Sequence, residues 1–366
     1  MISVQFFPSR TVSIYMAKTF IVRAFAVLAA LVIVLQFLDA LSESGYILAH
    51  PGNTQADVWR YISLRTPQII ARFLPYSVLL GAIITYSTLN QNSEVIALKA
   101  SGLSAHQILA PMIVAAIGVA VISFAFNDRI VSRATATLDA WKKAEYAQVP
   151  TDHGDRSRVW TKAGEDLINV KYVKMTGDSA TLTGITFYDR DAGGRLISTI
   201  TADHGRQEGK GWRIWPARKF DVASGQLSDM GAIIVADGVR PSQFTLASVD
   251  AEGQSFLELR DTVAALSAAG RPTKAYEGEM WHKLSGPLSA VLMPLLGAVA
   301  AFGIARSGKL FIRAVIGMAL GFTYFVIDNF ALAMGNLGAY PPFLAAWAPF
   351  LLFLMIGEAV LIRTEE

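Results

Sequence analysis

The stretch ILAPMIVAAIGVAVISFAF, from Ile108 to Phe126, holds no charged side chain. A helix needs roughly 20 apolar residues to cross ~30 Å of hydrocarbon, because in lipid every backbone polar group must be paired within its own segment. At Asn127 the pattern changes. Charge returns at Asp128 and Arg129, and from Ser157 onward short alternating runs take over. The chain leaves a membrane here and enters a soluble block.

Upstream, Phe20 to Leu38 and Ile69 to Leu89 are runs of the same kind; downstream, Leu284 to Ala305, Ala314 to Gly335 and Phe343 to Ile362 follow. The predicted architecture is six transmembrane helices in a 3+3 arrangement around an inserted β-rich domain. Its segments are residues 1–126, 127–283 with helices flanking the sheet, and 284–366. A composition of 53% hydrophobic and 17% charged residues over 366 positions is too apolar for a soluble enzyme of this length. The first run is too long for a signal-peptide core, and no small-residue cleavage pattern follows Leu38, Asp39 and Ala40, so it reads as an uncleaved anchor.

The net charge of +3 does not point to nucleic acid. Residues 127–283 carry 21 basic and 21 acidic side chains, so the surplus lies in the membrane part, 11 basic against 8 acidic. With the N-terminus inside, Arg10, Lys18, Arg23, Lys99, Arg306, Lys309, Arg313 and Arg363 lie on the cytoplasmic side and only Arg60, Arg65 and Arg72 on the other. Basic residues favour the cytoplasm, so both termini are expected there and the middle domain in the periplasm of a bacterial inner membrane.

In the soluble block, Arg158–Trp160, Leu167–Val173, Ile185–Tyr188, Leu196–Ile200, Trp212–Trp215 and Ile233–Val235 alternate with period two, separated by turns such as Asp189–Gly194 and Glu208–Gly211. This predicts an antiparallel all-β sandwich, barrel or jelly roll. Helical patterning returns at Ala134–Ala147 and Phe256–Ala268.

Catalytic signatures are missing. Gly303 to Lys309 fits the spacing of a phosphate loop, but Leu310 replaces the Ser or Thr that holds magnesium, and the motif follows a span rather than a strand. The five histidines, at 50, 106, 153, 204 and 282, show no metal spacing and read as polar surface residues. No G-x-S-x-G elbow is present, and with no cysteine there is neither a disulfide nor a thiolate site. The chain is read as having no catalytic residue, metal or cofactor of its own.

Between the second and third spans, about residues 91–104, Asn92 and Ser93 offer a cap and Gly102 a terminator around a short helix containing Glu94, Val95, Leu98 and Ser101. Glu94 falls in the first turn, where the helix dipole favours a carboxylate, and Val95, Ile96 and Leu98 are expected to present an apolar surface outside the membrane. Two readings fit: a solvated cap on a re-entrant loop, or a coupling helix that docks into an ATPase.

This S-E-x-x-x-x-x-A-S-G-x-S pattern resembles the lipopolysaccharide-export permeases of the LptF/LptG family. Phe37-Leu38-Asp39, Phe73-Leu74-Pro75 with Leu79-Leu80-Gly81, and Tyr340-Pro341-Pro342 agree with the family, and the layout covers essentially the whole chain. Asp39 and the 340–342 stretch resemble the LptG type more than the LptF type. The resemblance implies an LptF-type partner permease, a cytoplasmic LptB-type ATPase dimer that binds the ATP and magnesium, and LptC-type and LptA-type bridge proteins. It implies that lipopolysaccharide is extracted from the outer leaflet and passed to a periplasmic β-jelly-roll-like domain. Family members carry lysines just after the first-span Asp; Ser42, Glu43 and Ser44 stand there in this chain.

Charges within spans face partners or wet cavities, since lipid exposure costs ~2.5 to 3.5 kcal/mol on insertion scales. Span direction puts Asp39, Arg72 and Asp328 near one membrane boundary, beside Phe37, Leu38, Tyr324 and Phe325. These residues are the expected lipid-binding set, with Arg72 serving either the lipid or a structural pair. Glu358 lies apart and reads as a snorkelling group. A sheet that passes lipid is expected to keep an open inner face, so inward positions of strands such as Ile185 to Tyr188 would line a trough. A membrane-anchored sensor with a ligand-binding β-domain explains the layout but not the coupling loop.

Overall fold

Helices in this protein outrun the apolar segments that predict them. The structure, a computed structural model, describes residues 7–147, 155–163, 166–176, 179–191, 193–239, 250–268, 271–299 and 310–363. Helix α1 (Arg10–Ala49) and α2 (Gln55–Gln91) extend beyond their predicted spans at both ends. A short α3 (Glu94–Ala100) precedes α4 (Ala105–Phe126), which continues through a π-helical turn (Asn127–Val131) into α5 (Ser132–Lys143). After the sheet come α6 (Phe256–Ala268), α7 (Lys274–Ala298), α8 (Leu310–Asn336) and α9 (Pro342–Arg363). Five helical stretches among the described residues are long and apolar enough to cross a membrane: α1, α2, the continuous Ala105–Lys143, Val315–Asn336 in α8, and α9. The fourth predicted span overlaps α7. Its end and the Gly303–Lys309 motif lie outside the described residues.

The chain divides into a helical unit (Met1–Ala49, Asn53–Thr137, Ala251–Glu366) and a sheet unit (His50–Gly52, Leu138–Asp250). In the helical unit, α1 buries Met16, Phe20, Ala24 and Leu28, a four-residue repeat that makes one stripe. Ala24 meets Gly81 of α2 so closely that a Cβ at Gly81 would stand 2.7 Å from the Ala24 backbone. Absence of a side chain at residue 81 is what lets the two backbones touch. Opposite this stripe, Val22, Phe25, Ile33, Phe37 and Leu38 face outward, as a lipid-facing or partner-facing surface would.

Where α4 passes into α5, the ladder winds wide for one turn, and Asp128 Oδ1 in that turn accepts from the Phe256 backbone N–H at 2.6 Å. Ser255 and Glu258 complete the start of α6 with reciprocal bonds, Ser255 N to Glu258 Oε2 at 2.8 Å and Glu258 N to Ser255 Oγ at 3.4 Å. Gly253 lies against Ala136, with its Cβ position 3.2 Å from the Ala136 Cα. The outgoing and returning segments are thus pinned together within the helical unit.

The sheet unit contains β1 (Asp155–Ala163), β2 (Asp166–Thr176), β3 (Ser179–Arg190), β4 (Leu196–Glu208), β5 (Gly211–Asp221) and β6 (Leu227–Val235). They form one six-stranded antiparallel sheet in sequence order. Each predicted alternating run lies within one of these strands. Register is held by pairs such as Ile185↔Ala202 and Ile214↔Ile233, and Gly184, at φ +66°, shifts the alternation of β3 by one residue. The inward side chains do not form the expected open trough. Ile168, Val170, Leu182, Ile185, Trp212 and Ile214 are each at most 2% exposed and pack on one another. The buried Trp212 indole N–H finds the Val239 carbonyl at 2.8 Å. Side chains fill the sheet's inner face because large β-branched and aromatic residues occupy facing positions.

Candidate functional site

Two constellations sit at opposite ends of the helical unit, separated along α1 by the 24 residue steps from Tyr15 to Asp39, roughly 36 Å of helix at 1.5 Å per residue.

At the Tyr15 end lies α3. Ser93 precedes it in the left-handed region at φ 58°, and the chain leaves through Ser101 and Gly102, the latter at φ 90° with open space where a Cβ would be. A glycine meets that conformation without strain. Ser101 Oγ donates to the Leu98 carbonyl at 2.7 Å. Ser104 then starts α4 with a capping box to Gln107. Val95 does not face outward as expected: it is 4% exposed and Leu98 packs beside it on the bundle core. Seven residues make only two turns, so a helix held on the bundle by positions 95 and 98 turns only the remaining positions outward. Ile96, 63% exposed, carries the outward apolar surface. Glu94 stands at its edge, its Oε1 accepting from Asn92 Nδ2 at 3.1 Å and more weakly from Tyr15 Oη at 3.4 Å. Nearby on the chain, His106 Nε2 meets Glu358 Oε2 at 3.3 Å, joining α4 to α9. Glu358 is therefore paired rather than isolated, and His106 is more than a surface polar group.

At the other end, the three charges expected at one level separate. Asp39 is bound by two residues of α2 that stand one turn apart: Oδ2 accepts from Tyr61 Oη at 2.6 Å and from Arg65 Nε at 3.2 Å, and Oδ1 from Arg65 Nη2 at 3.3 Å. Arg72 is seven residues further along α2 than Arg65, roughly 10 Å by helix rise. It therefore lies away from Asp39. Asp328, 6% exposed, is held by His282 of α7, Nε2 to Oδ2 at 2.9 Å. Arg72 and Asp328 do share a cavity of about 530 Å³, which Arg65, Glu279, His282 and Lys283 also line. Arg72 makes no hydrogen bond or ion pair among the described residues and is exposed. Tyr76, one turn beyond it, stacks on Phe325 of α8 with ring centroids 3.9 Å apart. Of the neighbouring aromatics, Tyr324 is only 1% exposed and packs edge-on against Phe353, so it belongs to the core. Phe37 and Leu38 are on the outer surface of α1.

Sequence reasoning missed Tyr61, Arg65 and His282. All three lie in helical extensions beyond or before the apolar runs, where hydropathy gives no signal. What does mark them is the helical spacing: Tyr61 and Arg65 are one turn apart on one face.

Five apolar helices of membrane-crossing length among the described residues, with a cavity lined by acidic and basic side chains, point to a membrane protein. Comparison with known proteins agrees. Residues 14–363 match the family described as "Lipopolysaccharide export system permease LptF/LptG". The lipopolysaccharide export system permease protein LptG of Escherichia coli (strain K12) is 25% identical over 339 residues, 90% of this chain and 91% of that protein. Its namesake from Haemophilus influenzae is 22% identical over 364 residues, 97% of this chain and 99% of that one. The apolar helices and these relatives together make it a multi-pass inner-membrane transport subunit, and the chain belongs to the LptF/LptG family of lipopolysaccharide export permeases.

Proposed function

We propose that the chain is the LptG-type half of an ATP-driven lipopolysaccharide exporter, with both termini cytoplasmic and the sheet unit periplasmic. The observation that carries this reading is α3: a helix anchored through Val95 and Leu98 that offers Ile96 and Glu94 to a partner. A cytoplasmic LptB-type ATPase dimer docks there and binds the ATP and magnesium, while this chain holds no cofactor. Glu94 then trades its contacts with Asn92 and Tyr15 for a basic residue of the ATPase, a bond in which both donor and acceptor are charged.

An LptF-type permease covers part of the exposed face of α1, and lipopolysaccharide enters from the outer leaflet beside it. Its anionic headgroup reaches the cavity, where Arg72 offers a forked pair of donors that no protein acid among the described residues already occupies. Phe37 and Leu38 face the acyl chains. Passage onward, to LptC-type and LptA-type bridge proteins, requires the packed inner face of the sheet to part, because its apolar positions are filled by their own neighbours.

Mass spectrometry of the complex purified through this chain tests the reading. Lipopolysaccharide, a second permease and an ATPase are expected in the same particle; a particle with neither bound lipid nor ATPase would contradict it.

A further inference from the structure

The Asp39 site does not end at Arg65. Asp39 occupies the Nε and Nη2 edge of the guanidinium, which leaves Nη1 pointing away, and Nη1 donates to Gln68 Oε1 at 2.5 Å. The far side of the same amide, Gln68 Nε2, donates to Thr135 Oγ1 of α5 at 2.9 Å. Chemistry fixes the amide's orientation. Arginine has only donors, so the Gln68 oxygen must face it and the nitrogen must face the threonine hydroxyl. An unbroken line of polar contacts therefore runs from α1 through α2 to α5.

Its end point is not an ordinary stretch of helix. Thr135 lies four residues past the π turn at Asn127–Val131, where the helical ladder is locally rewound and least self-sufficient. Ala136 next to it receives Gly253, and Asp128 within the turn holds the first N–H of α6. The segment that Gln68 grips is the one at which the chain leaves the helical unit and to which it returns.

We propose that Gln68 is a positioning residue that couples the state of the Asp39–Arg65 pair to the first turn of α5. A planar guanidinium cannot turn toward another anion with one edge only. Any group that draws Arg65 from Asp39 also withdraws Nη1 from Gln68 and loosens the Gln68–Thr135 contact. In the exporter, lipid at the cavity that Arg65 lines would be felt at the first turn of α5; this last clause rests on the export reading, whereas the coupling itself does not.

The test needs no lipid. Amide hydrogen exchange is followed by mass spectrometry on the full-length permease in its purified complex, for wild type, Asp39→Asn, Gln68→Leu, Thr135→Val and the Asp39→Asn/Gln68→Leu double variant. Each single change is expected to speed exchange over residues 132–137 by about tenfold, the scale of one lost hydrogen bond. The double variant should be no faster than the faster single, because both break one line. Thr135→Ser, which keeps the hydroxyl, should exchange at wild-type rates. Asp39→Asn loosening only α1 and α2, with residues 132–137 unchanged, would overturn the coupling, as would a double variant about a hundredfold faster. Loss of the export reading would show instead as missing lipid in the purified complex, an outcome these rates do not depend on.

Discussion

Gly81→Ala is the sharpest probe of how α1 is held. The new Cβ would stand 2.7 Å from Ala24 N and Cα and 2.8 Å from Ala24 Cβ. Backbone on α1 cannot swing aside like a side-chain end, so the whole helix must retreat by roughly 1 Å to restore ordinary contact. That undoes the stripe of Met16, Phe20, Ala24 and Leu28 against α2. Overpacking of this kind costs about 1–3 kcal/mol, of which the better helix propensity of alanine returns about 1. A bundle of this size then loses roughly 2–4 °C in Tm for each net kcal/mol. Gly118→Ala on α4 is the control, since nothing stands within 4 Å of its Cβ position; it should keep or raise Tm. Thermal melts of the two variants in the same detergent decide the matter. If Gly81→Ala melts with or above Gly118→Ala, the close α1–α2 crossing is wrong.

Glu94→Lys should leave the fold intact, because the side chain makes only exposed polar contacts, yet abolish transport in a reconstituted assay with the ATPase; normal transport would refute the docking role. Arg65→Gln leaves the Asp39 carboxylate, 26% exposed in its side chain, with Tyr61 but without its cation, and should cost about 1–3 kcal/mol of stability by chemical denaturation. Arg72→Gln breaks no described contact and should stay within about 0.5 kcal/mol of wild type while lowering the lipopolysaccharide retained on purification. In the sheet unit, Ile185→Ala should cost about 2–5 kcal/mol, since Ile185 is 2% exposed; a cost near zero would mean that its inner face is open after all.

Much of the architecture was legible from period alone. The alternation at Leu167–Val173 or Trp212–Trp215 marks strands because a half-buried sheet repeats every second residue, and the run at Phe256–Ala268 coincides with α6. The helical pattern beginning at Asn92 likewise became α3. The azimuth of a side chain about its helix was not legible. Span direction gives the depth of Asp39 and Arg72 only to within a turn or two, and it says nothing of rotation, so the pairing with Arg65 stayed hidden. Nor does the sequence show that Val95 and Leu98 turn inward, because a seven-residue helix is too short for its pattern to say which side meets the bundle. His282 gave no sign of its partner, since Asp328 is 46 residues away.

Vesicles holding this chain, its partner permease and the ATPase, loaded with lipopolysaccharide and supplied with the soluble bridge protein outside, test the export reading most directly. Lipopolysaccharide is expected to appear on the bridge protein only when ATP is hydrolysed, and Glu94→Lys in this chain should stop its appearance while the complex remains assembled. Transfer at the same rate without ATP, or none by the wild-type complex while its ATPase turns over, would contradict the account.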